Sequence, residues 1–83
     1  MLEERPHCLV IGVGPGTGLA CVRRFVGEGY KVSMIARHEG RLASWAGEIA
    51  DTLPYQSDIT DLESFRASLE RINAEQGVPK VIV

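Results

Sequence analysis

Basic clusters, long apolar runs, cysteines and repeats are all scarce in this chain, and each scarcity excludes something. The only adjacent basic pair is Arg23-Arg24, placed where a helix would face water, and the formal net charge is -2. That balance leaves no electrostatic footprint for nucleic acid, so no nucleic-acid partner is expected. No apolar run reaches the ~20 residues of a membrane span, and no membrane partner is expected. The start, Met1-Leu2-Glu3-Glu4-Arg5-Pro6, is acidic and lacks the apolar core of a secretory signal. The two cysteines, Cys8 and Cys21, have no companion ligands at zinc spacing. They read as small buried hydrophobes in a reducing, cytoplasmic compartment.

What remains is ordinary for a globular protein: 45% apolar residues, 24% charged residues, and 83 residues in total. That length allows at most one small domain, spanning residues 1–83. Within it, Leu9-Val10-Ile11-Gly12-Val13-Gly14-Pro15-Gly16-Thr17-Gly18-Leu19-Ala20 is the most informative stretch. An apolar run ends in four glycines at alternate positions, and a helical apolar pattern then begins. This reads as strand, tight turn and helix start. Glycine at such a turn lets backbone approach a ligand and permits positive φ. The free amides and the positive end of the following helix make an anion site from main chain. A phosphate-bearing ligand at a strand–helix junction is the first functional expectation.

The rest of the chain alternates strand and helix. His7 to Val13 is a continuous apolar run, as in a strand buried on both faces. Leu19, Val22, Phe25 and Val26 form one helical stripe, with Gly29 as the residue that ends the helix at positive φ. Tyr30 to Ala36 reads as the second strand and Glu39 to Ala50 as the second helix, striped by Leu42, Trp45, Ala46 and Ile49. Trp45 is expected in the core rather than as a ligand platform. Leu53 to Ser57 is a third strand, and Pro54 is tolerable near its start. Thr60-Asp61-Leu62-Glu63 fits a capping box, followed by a helix with Leu62, Phe65, Leu69 and Ile72 inward and Gly77 as its stop. Val78 to Val83 opens a fourth strand.

Short links between alternating elements predict an α/β fold, a Rossmann-like parallel sheet of strand order 3-2-1-4 with right-handed crossovers. The first two helices should cover one face and the third the other. With no helix after the fourth strand, apolar sheet surface would be exposed, and self-association through it is an expectation. The chain accordingly reads as the front part of a larger protein.

The glycines do not fit the G-x-G-x-x-G fingerprint, whose third glycine would fall on Thr17 or Leu19. They fit G-x-x-x-G-x-G with Gly12, Gly16 and Gly18. Together with Ala36-Arg37-His38-Glu39-Gly40-Arg41-Leu42 and Ser57-Asp58-Ile59-Thr60-Asp61, this resembles the short-chain dehydrogenase/reductase family over essentially the whole chain. One departure is Ile11, where that family usually has a threonine that braces the turn. The resemblance implies an NAD(P)-binding oxidoreductase. Gly12 would permit the exit from the first strand, and Gly16 and Gly18 would let the helix start against the pyrophosphate. Gly14 is a less diagnostic member of the same loop. Thr17 would offer its amide or hydroxyl, with Leu19 beside it. Asp58 and the Ile59 backbone would receive the adenine amino group, although an Asp after a strand is also a common turn residue.

Arg37, at the end of the second strand, sets the expected nucleotide. An acid there would accept from a free ribose 2′-hydroxyl, whereas a guanidinium suits a 2′-phosphate. A charge-assisted hydrogen bond contributes about 1.5–3 kcal/mol, so NADPH is expected to bind roughly ten- to a hundredfold more tightly than NADH. The alternative is a solvated arginine at a strand end. His38 is a second candidate contact or an exposed loop histidine.

In the family the chemistry belongs to a Ser, an Asn, and a Tyr with a Lys four residues on, the Tyr as general acid/base. Here Met34 follows Tyr30 at that spacing and Ile59 follows Tyr55, so no catalytic residue is assigned in this chain. Two other readings stand beside an oxidoreductase acting on a carbonyl or alcohol. One is a non-catalytic dinucleotide-binding module. The other is an S-adenosylmethionine-dependent methyltransferase, whose first motif Gly14-Pro15-Gly16-Thr17-Gly18 also resembles, although the acids that family uses are missing.

Overall fold

The computed structural model describes residues 5–14 and 16–83; the acidic start, Met1 to Glu4, and Pro15 of the glycine turn lie outside the described residues. The elements run β1 (His7–Ile11), α1 (Thr17–Gly27), β2 (Lys31–Ala36), α2 (Glu39–Glu48), β3 (Thr52–Gln56), α3 (Leu62–Gln76) and β4 (Val81–Ile82). All strand pairs are parallel and the sheet order is β3-β2-β1-β4, the order that the alternation predicts.

Alternate residues of the central strands feed two cores. Cys8, Val10, Val32 and Met34 meet Val22 of α1 and Leu42 of α2 on one face, with Phe25 and Trp45 packed against them. Leu9, Ile35 and Tyr55 meet Ile72 of α3 on the other, with Phe65 and Leu69 alongside. Two helices therefore cover one face and one helix the other, as expected. Fully burying a side chain such as Ile72 contributes about 1.5–3 kcal/mol, so a single buried residue anchors much of α3. Polar contacts add to this anchor. The Tyr55 hydroxyl donates to Glu75 Oε1 at 2.7 Å, and Arg71 Nε donates to Glu75 Oε2 at 3.0 Å.

Helix ends explain most differences from the sequence reading. α1 closes with Gly29 at φ 93, with the Gly29 amide on the Val26 carbonyl and the Tyr30 amide on the Phe25 carbonyl. That is a Schellman motif, and the Phe25 and Tyr30 rings meet edge-on across it at 5.2 Å. The expected capping box gives way to a one-way cap one residue later. Asp61, not Thr60, caps α3 by accepting from the Ser64 amide, while the Thr60 hydroxyl donates to Asp58. Leu62 is consequently the first helical residue and stands 78% exposed, outside the stripe assigned to it. The fourth strand shortens to Val81–Ile82, because Gly77 turns the chain at φ 85 and Pro79 has no amide to give a ladder. β1 stops at Ile11, since the positive φ of Gly12 leaves the strand conformation.

At the end of the sheet away from the glycine turn, buried His7 joins three elements. Its Nε2 lies 2.6 Å from Ser33 Oγ of β2, and its Nδ1 lies 2.9 Å from the Gly77 carbonyl after α3. A carbonyl only accepts, so Nδ1 carries the proton and a neutral Nε2 accepts from the Ser33 hydroxyl. Burial pushes the His7 pKa below 6.5, with Lys31 adding in the same direction, against the bond to Gly77. The unfolded chain therefore binds the extra proton first. Stability from His7 is complete above about pH 6.5 and is lost as pH falls further through the lowered value. Denaturant titrations from pH 7.5 to 5 should show decreasing unfolding free energy, and His7→Gln should flatten that slope.

The glycines offer a second check. A Cβ on Gly18 would sit 3.1 Å from Val13 Cα, a backbone atom that cannot step aside cheaply. Gly18→Ala should cost about 1–3 kcal/mol by overpacking. Gly47, inside α2 with nothing within 4 Å, should accept alanine with a gain of about 0.5–1 kcal/mol from helix propensity. Thermal melts of the two variants should move in opposite directions.

Candidate functional site

The β1–α1 turn is fixed from beneath. The amides of Gly12 and Val13 both donate to the Ile35 carbonyl, each at 2.9 Å, so the turn lies across the C-terminal end of β2. Gly12 is there because its φ is 74. Gly18 is there because α1 presses directly on Val13 and on the Gly12 carbonyl. Gly14 and Gly16 have neither reason: among the described residues outside their chain neighbours, a Cβ on either would meet nothing within 4 Å. Among the described residues no other part of the fold fills the space beside them.

That space faces bare main chain. Among the described residues, no side chain caps α1, its first turn holds no acid, and nothing accepts the amides of Gly16, Thr17 and Gly18. The Leu19 amide is already taken by the Gly14 carbonyl at 3.1 Å, and the Leu19 side chain packs on the core. An anion here would meet unsatisfied donors and the positive end of an eleven-residue helix.

Beside the turn, at the C-terminal ends of β1, β2 and β3, lies a cavity of about 300 Å³. Such crevices are where open parallel sheets bind ligands. Gly12, Val13 and Gly14 form one wall, Ala36, Arg37 and His38 the next, and Ser57, Asp58, Ile59 and Thr60 a third. The fourth is helical, from Arg41 and Trp45. The fold thus gathers Gly12, Gly14, Arg37, His38, Asp58 and Ile59 around one space. Gly16, Thr17, Gly18 and Leu19 do not line it and stand at the start of α1.

The sequence reading missed Arg41 as a wall residue and assigned Trp45 to the core alone. Trp45 does both, resting on the core cluster while lining the cavity. The signal was available, because positions 38, 41 and 45 follow helical spacing from a residue already placed at the strand end.

Two wall residues are held in place by backbone. The Arg37 carbonyl accepts from Gln56 Nε2 at 3.1 Å, and His38 is the N-terminal cap position of α2, its carbonyl accepting from the Leu42 amide. Asp58 Oδ1 accepts from both the amide and the hydroxyl of Thr60, at 3.0 and 2.6 Å. These bonds hold its carboxyl below the ordinary value, with a smaller contribution from Arg37. Asp58 is therefore a turn residue in the sense the sequence allowed, while Oδ2 has no recorded partner among the described residues. Among those residues no group of three or more His, Cys, Asp and Glu could hold a metal ion.

Open amides at a helix start, space over two side-chain-free positions, and a neighbouring cavity with basic and acidic walls suit a ligand with both phosphate and nucleoside parts. The arrangement is that of a parallel α/β protein with its crevice at the C-terminal ends of the strands. Residues 6–83 match the family model described as short chain dehydrogenase, and the chain belongs to that family.

Individual relatives agree. The protein named probable oxidoreductase EphD from Mycobacterium tuberculosis (strain ATCC 25618 / H37Rv) is 35% identical over 78 residues, covering 89% of this chain and 13% of its own. The EphD of Mycobacterium bovis matches equally. The crystal structure of 3-ketoacyl-(acyl-carrier-protein) reductase from Brucella melitensis, complexed with NADH, superposes with a TM-score of 0.85 and 27% identity, covering 93% of this chain and 32% of that one. A variant of actinorhodin polyketide ketoreductase with NADPH gives 0.89 at 24% identity, covering 96% and 32%, and shares the fold. The chain thus spans about an eighth of the curated relatives' length and a third of the solved ones.

The Asp58 turn yields a direct check. Thr60→Val removes the hydroxyl bond and keeps the amide bond, so the Asp58 carboxyl should titrate at higher pH than in the unaltered protein, by carbon-detected NMR.

Proposed function

We propose that this chain is the NADP(H)-binding portion, a single domain over residues 1–83, of an oxidoreductase that moves a hydride to or from a carbonyl or alcohol. The observation that carries the reading is the pair Gly14 and Gly16, which the chain's own packing does not require, set against the open amides of α1. The nicotinamide of a bound cofactor would supply the hydride. This chain's residues would bind and orient the other end. Gly16, Thr17 and Gly18 would give amides to the pyrophosphate, and Gly12 would hold the turn that aims them. Asp58 Oδ2 and the Ile59 backbone would receive the adenine amino group, and Arg37, with His38 beside it, would take a ribose 2′-phosphate.

Preference for NADP over NAD rests on Arg37, which is exposed and lines the cavity without a carboxylate within 4.0 Å among the described residues. The Ser and the Tyr with a Lys four residues on that the family resemblance implies for the chemistry are not among these residues, so catalysis is not ascribed to them. The reading places the protein in the cytoplasm, in keeping with two free cysteines. Among the described residues no helix is long and apolar enough to cross a membrane. Ile82 and Val83, 62% and 48% exposed beside β1, are the surface through which copies would self-associate.

Titration of the purified protein with NADPH, NADH and S-adenosylmethionine tests the reading. Trp45 is the only tryptophan and lines the cavity, so its fluorescence reports binding. NADPH should bind most tightly. Gly14→Ala should leave the melting temperature nearly unchanged and weaken NADPH roughly tenfold or more by filling ligand space. Tightest binding of S-adenosylmethionine would overturn the assignment.

A further inference from the structure

The sheet has two edges, and β3 is the longer one. It pairs with β2 alone, along Thr52–Gln56, while β4 is two residues long. The Val32 amide donates to the Asp51 carbonyl and the Ser57 amide to the Ala36 carbonyl, each at 3.0 Å. Both bonds turn odd-numbered residues toward β2. The ladder alternates, so Thr52, Pro54 and Gln56 present their backbone outward. Pro54 therefore gives up no bond to β2, which is how a proline sits within this strand. Among the described residues no backbone group bonds to the outward amides and carbonyls of these three. A cavity of about 410 Å³ opens along the same edge, with Leu42 and Ala43 of α2 on one flank and Arg71 of α3 on the other.

Such an edge is a template for another strand, and the strand always at hand is β3 of a second copy of this chain. The outward positions 52, 54 and 56 are centred on 54. Two antiparallel copies using the whole strand would set Thr52 against Gln56 twice, and Pro54 against Pro54 on the two-fold axis. Each outward pair exchanges two N–H···O=C bonds, and the central pair can make neither, because proline has no amide. We infer that Pro54 is a built-in stop against this pairing, which removes the central bonds and keeps β3 a free edge. The stop adjoins the site: a strand added here would run past Gln56, whose Nε2 holds the Arg37 carbonyl on the cavity wall. The two edges thus differ, with exposed Ile82 and Val83 at β4 and a central proline at β3. Nothing in this depends on a bound nucleotide.

Pro54→Thr and Pro54→Ala both restore the amide, and Ile82→Lys in every sample, parent included, silences the β4 edge. Sedimentation velocity over a range of concentrations reads association, and circular dichroism checks the fold. Hydrogen exchange followed by NMR reads the amide at position 54. With the central pair restored, self-association should strengthen roughly ten- to a hundredfold over the proline parent. The amide at position 54 should become protected as the dimer forms. Threonine favours strands and alanine does not, so association by both variants follows the amide rather than strand propensity. If the folded variants sediment as the parent does, or associate while the amide at position 54 exchanges freely, Pro54 is not the stop. Association by Pro54→Thr alone, with Pro54→Ala folded, assigns the effect to strand propensity and overturns the inference as well.

Discussion

The backbone carbonyl of Ile35 organises the ligand end of this molecule. It accepts the amides of both Gly12 and Val13, so the chain leaving β1 must fold across the end of β2 rather than run on. Everything at the site follows from that bend. Positive φ at Gly12 makes it possible, and the absence of a Cβ at Gly18 lets α1 return against it. α1 then starts with the amides of Gly16, Thr17 and Gly18 unpartnered among the described residues. A buried helix end without partners would be costly, but this one is open, and an anion can complete it.

The scaffold beneath is rigid for a reason that also lives in composition. Every residue of β2 and four of the five in β1 are buried, so both faces of the central sheet are covered by helices. Even the polar members are accounted for. His7 and Ser33 satisfy each other and reach Gly77, and among the described residues no buried side-chain nitrogen or oxygen lacks a hydrogen-bond partner. Polar chemistry at the far end thus locks β1, β2 and the α3–β4 link together. At the ligand end polar groups are left open instead. The contrast follows the sheet axis, with closed networks under the scaffold and unspent donors at its C-terminal edge.

Sheet order, helix placement and the turning glycines Gly12, Gly29 and Gly77 were legible in the sequence, because each rests on local rules: apolar periodicity, short connections, and φ permitted to glycine; the packing of Gly18 on Val13 was not. The misplaced features share another cause. Thr60 and Asp61 are both good caps, and only the pull of Asp58 on the Thr60 amide and hydroxyl decides between them. Leu62 fits an apolar stripe by spacing, but the register of that cap puts it beyond the sheet. Trp45 was split between core and cavity because a large half-buried ring serves both, and periodicity reports only which face it occupies. Arg41 was missed although helical spacing from His38 pointed to it, because the reading stopped at the strand end and did not follow the wall into α2.

Asp58 and Arg37 show how the cavity keeps its charges usable. They influence each other, since Arg37 helps to lower the Asp58 pKa, yet no bridge within 4.0 Å joins them. An exposed bridge would contribute only about 0–1 kcal/mol, so forgoing it costs the fold little. Forming it would consume the acceptor on one wall and the donor fork on the other, and draw them across the crevice. Thr60 takes Asp58 Oδ1 into a local turn and leaves Oδ2 without a partner among the described residues. That oxygen and the Arg37 guanidinium both stand on the cavity wall without an ion pair between them.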